Sequence, residues 1–242
     1  MIHRRHLLGA LLALAGTPAL TQATSAQTGA GFTSGGKAVT VERFSAPGTA
    51  ARPGVVLLHG SDGPGPRYRR AAQFLASAGY HVFLVHYLDR TDQSRASLAS
   101  IPGNLPVWTA TAREAVSYVA AQPGVAAGRI GLFGISLGGG IALGVAAQDR
   151  RVGALVSYFG FVPSGFDTSA ALPPTLVLHG EDDRVVPVSN ARTLQRILEA
   201  QGTPHEVQIY PGEGHGFSAA ATADAAARIT RFFGRTLGGR RG

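Results

Sequence analysis

Three residues far apart in the chain, Ser136, Asp183 and His215, have the types and surroundings that covalent acyl transfer requires. Ser136 stands in Gly134-Ile135-Ser136-Leu137-Gly138. The strand-like run Arg129-Ile130-Gly131-Leu132-Phe133 precedes it, and a small-residue stretch of helical length from Gly139 to Ala147 follows. A G-x-S-x-G between a strand and a helix has chemical meaning, because the sharp turn lifts the serine Oγ clear of the strand's end. Glycine at 134 and 138 keeps neighbouring side chains away from a serine whose backbone is strained. With 33 glycines in the chain, the bare pentapeptide carries little weight. The flanking strand and helix give it force.

A serine hydroxyl is a weak nucleophile at neutral pH and needs a base, which histidine supplies best. Of the eight histidines, His3 and His6 lie near the start, and His59 and His179 each precede a glycine at a strand's end, where a turn-shaping role is expected. His81 and His86 fall in one strand-like run, and His205 precedes another. His215, in Pro211-Gly212-Glu213-Gly214-His215-Gly216-Phe217, lies on a glycine-rich loop that can reach the sheet edge where Ser136 sits. The base in turn needs a carboxylate to fix its tautomer. Glu181-Asp182-Asp183 follows the apolar run ending at Leu178, and Asp183 is the preferred acid, with Asp182 as the alternative. The order Ser, Asp, His is the one expected of an α/β-hydrolase. An oxyanion would be held by the backbone N–H of Leu137 and one from His59-Gly60-Ser61-Asp62-Gly63, where Ser61 is preferred and Asp62 is possible.

These residues must be brought together by a regular scaffold. Gly54 to Leu58 is a continuous apolar run ending in His59-Gly60, as a buried parallel strand should be. Strands are also expected over 37–44, 81–87, 152–159, 174–178 and 206–210. Helices are expected over 67–78, 105–122, 189–201 and 219–233. Strands alternating with helices predict an α/β fold, a mostly parallel sheet with helices on both faces. Residues 37–236 read as one domain, 27–36 as a flexible leader rich in Gly, Ser and Thr, and 237–242 as a disordered tail.

The motifs at 134–139, at 179–187 (His179-Gly180-Glu181-Asp182-Asp183-Arg184-Val185-Val186-Pro187) and at 214–217 together resemble the dienelactone hydrolase family of α/β-hydrolases, from about residue 38 to about 235. The resemblance implies hydrolysis of esters or lactones through an acyl-enzyme, with no metal or organic cofactor. Departures accompany it. Founding members use cysteine where Ser136 stands, and they hold a glutamate in the loop that here reads His59-Gly60-Ser61. They bind the substrate carboxylate with two arginines. Arg90 matches one, while Ala219 occupies the other position. The resemblance therefore implies a serine esterase acting on other substrates more than a true dienelactone hydrolase. Candidate substrate contacts on the loops after the strands are Arg90, Tyr87, Tyr68 and Trp108, with Arg69 and Phe161 nearby in sequence order.

Composition bounds the remaining possibilities. The chain has 242 residues, 45% of them apolar, which suits one sizeable core. It has no cysteine, so disulfides and thiolate metal sites are excluded. The net charge of +8 comes from scattered arginines, with no long basic run or interleaved aromatic stripe, so nucleic acid is not an expected partner. The expected partner is a small ester or lactone, and the sequence leaves oligomeric state open. Rival readings are a peptidase or an acyltransferase with the same triad, and a binding protein that kept the fold without the chemistry.

The first residues read as a targeting segment. His3-Arg4-Arg5-His6 precedes a modest apolar run from Leu7 to Gly16, too short for a stable membrane anchor. The adjacent arginines suggest the twin-arginine route. Thr24-Ser25-Ala26 or Thr21-Gln22-Ala23 offers the cleavage site, so residues 1–26 are expected to be a signal peptide of a periplasmic or secreted protein. Expressed with this leader in a bacterium competent for that route, the protein should appear outside the cytoplasm, shortened near Ala26. Replacing Arg4 and Arg5 together by lysine should retain it inside. A full-length cytoplasmic product, detected by fractionation and intact mass, would contradict the reading.

Overall fold

The computed structural model describes residues 26–238. The segment read as a signal peptide, with Arg4 and Arg5, lies outside the described residues up to residue 25, as do residues 239–242 of the expected tail. The sheet has eight strands: β1 (Ala26–Ser34), β2 (Lys37–Phe44), β3 (Arg52–Leu58), β4 (His81–Val85), β5 (Val125–Ile135), β6 (Val152–Tyr158), β7 (Thr175–Gly180) and β8 (His205–Tyr210). Their spatial order is β1-β2-β4-β3-β5-β6-β7-β8. Pairings of β1 with β2 and of β2 with β4 are antiparallel, and all the others are parallel.

Each central strand alternates its side chains between two cores. On β3, Val55 and Leu57 face one core while Val56 and Leu58 face the other, and β4 repeats the pattern with Val82 and Leu84 against Phe83 and Val85. This is the period of two that a pleated strand imposes. Helices α1 (Pro66–Ser77) and α5 (Ala219–Thr236) cover the first face. The second face is covered by α2 (Ile101–Ala120), α3 (Leu137–Gln148) and α4 (Ser189–Ala200). Burial on both faces explains the unbroken apolar runs.

The chain leaves β3 through α1 to β4 on one side, then crosses back through α2 to β5 on the other. β3 and β5 are therefore neighbours, paired Leu58 to Gly134, and their outgoing loops diverge. The winding reverses between β3 and β5, and the carboxyl ends of the strands at such a switch point are where open α/β sheets place their ligands.

The leader expected to be flexible is a strand. β1 pairs with β2 across Gly35-Gly36, whose φ values of 47° and 80° suit the two-residue hairpin turn that twisted strands prefer. Phe32 packs its ring 5.6 Å from Tyr118, and Ser34 shares a hydrogen bond of 3.0 Å with Thr111. Composition alone pointed to a linker, whereas the Gly-Gly pair was the turn signal. Leu237, placed in the expected tail, is buried over Gly131 and Gly153 of the sheet. α2 begins at Ile101, ahead of the expected Leu105, and Tyr87 leaves β4 to open a short 3-10 turn over Tyr87–Thr91.

Where β2, β4 and α1 meet, Glu42 is buried and takes two 2.7 Å hydrogen bonds from Arg69 and one of 2.8 Å from His86. Burial pushes its carboxyl upward, but the bonds from Arg69 and His86 outweigh that and hold it below the usual 4.5. A depressed carboxyl stabilises the fold above its unfolded-state value, and that contribution fades as pH falls through the native one. Glu42→Gln should lower unfolding stability at neutral pH by about 2–3 kcal/mol, toward the low end for a buried pair because Arg69 is partly in water. The gap from wild type should narrow in acid below 4.5, as read by denaturant titration across pH.

Candidate active site

Ser136 occupies the turn between β5 and α3 with φ 57° and ψ −118°, a conformation that an L side chain adopts only under constraint. The constraint is close packing of backbone on backbone. A Cβ on Gly134 would strike the carbonyl of Gly138, and one on Gly138 would strike the carbonyls of Leu58 and His59. α3 is buried on nearly every side, so it cannot slide to relieve the turn.

The structure brings Ser136, His215 and Asp183 into one hydrogen-bonded chain. Ser136 Oγ lies 2.8 Å from His215 Nε2, and His215 Nδ1 lies 2.7 Å from Asp183 Oδ2. A carboxylate only accepts, so Nδ1 carries the proton and Nε2 is free to take one from the serine hydroxyl. The Asp183 side chain is fully buried, while His215 keeps part of its ring open to solvent. Asp183 Oδ1 accepts 2.9 Å bonds from the backbone N–H groups of Val185 and Val186. Asp182, the alternative acid, is exposed, and its N–H is held by the carbonyl of Glu213 at 2.9 Å.

Both histidines at strand ends shape loops. Burial depresses His179 below its ordinary range, so its neutral ring donates from Nε2 to the Val186 carbonyl at 2.8 Å. It thereby braces the turn that holds Asp183, whose Oδ2 is 3.5 Å away. His59, driven down to about 4 by burial, donates from Nδ1 to the Gly60 carbonyl at 2.7 Å.

Leu137 opens α3, so its N–H has no carbonyl within the helix to bond. Ser61 follows Gly60 in the loop after β3, and its own carbonyl is tied to the N–H of Ala96 at 2.8 Å. A network fixes this loop. Tyr68 accepts from the N–H of Gly60 at 2.8 Å and donates to Asp62 Oδ1 at 2.5 Å, while Arg67 donates to both Tyr68 and Asp62. Burial and the bond to Asp62 push the Tyr68 hydroxyl up to about 12, so it stays protonated.

The expected substrate contacts are redistributed. Tyr87 is buried, stacked 4.3 Å from the His59 ring, and donates to the His59 carbonyl at 2.8 Å. Trp108 is also buried and donates to Thr91 at 3.0 Å. Both belong to the core on the second face of the sheet. Arg90 lays its guanidinium against Gly35 in the β1–β2 turn. Arg69 is committed to Glu42, and Phe161 packs on Gly140 of α3. Tyr68 belongs to the loop network, although one side of it borders a cleft.

Phe159 was not expected. It is one of three non-glycine residues with positive φ among those described, the others being Ser136 and Asp92, and its ring lies 4.5 Å from that of His215. Its signal in the sequence was faint: an aromatic at the carboxyl end of a strand, followed by Gly160. Among the described residues, no cluster of three His, Asp or Glu could hold a metal ion, and no helix is long and apolar enough to cross a membrane.

A strained serine at a strand-to-helix turn, hydrogen-bonded to histidine and carboxylate from two later loops, is the arrangement of an α/β-hydrolase. The model of the dienelactone hydrolase family matches residues 42–237, and the chain belongs to that family. A Mycobacterium tuberculosis protein provisionally named a phosphoribosyl transferase is 30% identical over 181 residues, 72% of this chain and 39% of its own length. The quorum-quenching protein AidA of Acinetobacter baumannii is 30% identical over 131 residues, 53% of this chain and 41% of its own. The chain thus spans about two fifths of these relatives. In structure, the dienelactone hydrolase-like promiscuous phosphotriesterase P91, from metagenomic libraries, superposes with a TM-score of 0.79. It is 20% identical and covers 88% of this chain and 99% of its own, a likeness of fold.

The geometry separates the two adjacent aspartates. Asp183→Asn should lower kcat by roughly a thousandfold or more, because the amide favours the wrong imidazole tautomer. Asp182→Asn should change it less than about threefold. Reversed results in steady-state kinetics would move the acid role by one residue.

Proposed function

We propose that this protein is an exported serine hydrolase that cleaves carboxylic esters or lactones through an acyl-enzyme. The observation that carries the reading is the unbroken chain of bonds from Ser136 Oγ through His215 to Asp183. As Oγ attacks the substrate carbonyl, its proton passes to His215 Nε2 and a new C–O bond forms. The carbonyl π electrons move onto oxygen, where the N–H groups of Leu137 and Ser61 stabilise the charge. Collapse expels the alkoxide, which takes the proton from Nε2. Water then attacks the acyl-enzyme by the same route, giving the acid and restoring Ser136.

Neutral esters are favoured over a carboxylate-bearing dienelactone. Ala219 supplies no cation, and the Arg90 guanidinium lies against Gly35 of the β1–β2 turn. One charged hydrogen bond is worth about 1.5–3 kcal/mol, so the missing clamp should cost an anionic substrate roughly ten- to a hundredfold. Export rests on the leader read above.

A panel of p-nitrophenyl esters, neutral lactones, a dienelactone and N-acyl amino acid anilides, run on protein lacking residues 1–25, tests the proposal. Ester or neutral lactone turnover should lead, and Ser136→Ala should cut it by at least about three orders of magnitude with an unchanged melting profile. Normal turnover in that variant would remove Ser136 from the mechanism. Anilide turnover ahead of every ester would make the protein a peptidase.

A further inference from the structure

A groove of about 750 Å3 runs between α1 and α5 over the first face of the sheet. That volume lies within the range of small-molecule binding sites. Phe133 and Ile135 of β5 and Tyr158 of β6 form its floor, while Leu75 of α1 and Ile229 of α5 stand in its walls. Its polar lining is sparse, with Arg67 and Arg70 exposed at the rim. The two helices stay unbridged here because they turn small side chains toward each other, Ala71 from α1 and Ala219, Ala223 and Ala226 from α5. Phe74, also on the lining, is 45% exposed, an unusual position for a phenylalanine with nothing to cover it.

Ser136 and His215 do not themselves line this groove, but one end of its lining is made of residues next to them. Tyr68, which fixes Gly60 in the loop after β3, lines it, as do Gly216 and Phe217, the two residues after His215. Phe159, with its ring 4.5 Å from His215, lines it too. Its floor residue Ile135 is the chain neighbour of Ser136. The apolar trough thus begins one residue from Ser136 and one from His215 along the chain.

We propose that this groove is an acyl-chain channel, and that the preferred substrates are neutral esters of extended apolar acids of about eight carbons rather than acetates. This rests on the acyl-enzyme reading above. The acyl group is the part of the substrate held covalently while water arrives, so a channel that buries its chain keeps the ester carbonyl registered at the oxyanion donors. Each methylene taken from water adds up to a few-fold in binding, and several in series give a clear length dependence.

The test compares p-nitrophenyl acetate, butyrate and octanoate on protein lacking residues 1–25, in wild type, Ala226→Trp and Ala223→Phe. Both positions face the groove away from the triad, and Ala223 is exposed, so at least that variant should fold. kcat/KM should rise at least about tenfold from acetate to octanoate in wild type. Each filling variant should erase that rise and leave acetate within about twofold. Calorimetric binding of p-nitrophenyl octanoate to Ser136→Ala, weakened at least about tenfold by adding Ala226→Trp, should report the channel without turnover. A flat length profile with measurable acetate hydrolysis overturns the channel and leaves the hydrolase reading standing. So does a rise that survives both fillings, or one that follows the alcohol instead of the acid. Octanoate binding with no turnover of any ester sinks the hydrolase reading and keeps the channel.

Discussion

The close approach of α3 to the ends of β3, β5 and β6 governs the rest of the molecule. Gly134, Gly138 and Gly139 let backbone lie directly against backbone there, and a side chain at any of them would collide with main-chain atoms. That contact forces Ser136 to φ 57° and holds it. Local strain of this kind costs on the order of 1–3 kcal/mol and persists only where the surroundings leave no alternative. Here the surroundings are a helix buried on nearly all sides and a mostly parallel sheet covered on both faces. The same reversal of winding that makes β3 and β5 neighbours puts the Gly60–Ser61 loop beside Leu137, so the proposed nucleophile and the proposed oxyanion donors share one origin.

Buried polar groups then stiffen the loops that complete the site. Asp183 is held from behind by the N–H groups of Val185 and Val186, and His179 pins the Val186 carbonyl. On the other side, Tyr68 holds Gly60, and the exposed Asp62 and Arg67 hold Tyr68. Bonds made by buried groups such as Asp183 and His179 are strong when fully made and expensive when broken, which favours one loop geometry over its neighbours. His59 Nε2 and His179 Nδ1 are left buried without partners, so each ring makes its polar contact through its other nitrogen. Two histidines that look catalytic by type are structural by placement, and His215 differs from them in retaining a path to solvent.

Much of this was legible in the residues. Apolar runs at 54–58, 129–133 and 174–178 announced buried parallel strands, because a strand covered on both faces has no reason to alternate. Ser136, Asp183 and His215 were readable because each sits in a short motif next to a strand's end, where local geometry alone decides what the side chain can do. β1 escaped because its composition resembles a linker, and its stability comes from pairing with β2 and from Phe32 against Tyr118. Leu237 escaped for the same reason, since its partners at Gly131 and Gly153 are remote in the chain.

The sequence by itself determined the fold class, the order of the motifs and the candidate nucleophile, base and acid, because those depend on spacing of 2 and 3.6 residues and on turn chemistry within a few positions. It left Asp182 and Asp183 as alternatives, and only tertiary structure chose between them by burying one and exposing the other. Tertiary structure also buried Tyr87 and Trp108, set Arg90 against the β1–β2 turn, brought Phe159 against His215, and opened a groove between α1 and α5. Each of those outcomes depends on which face of a helix or strand meets a partner distant in the chain, and a sum of many packing contacts decides that, which no local pattern encodes.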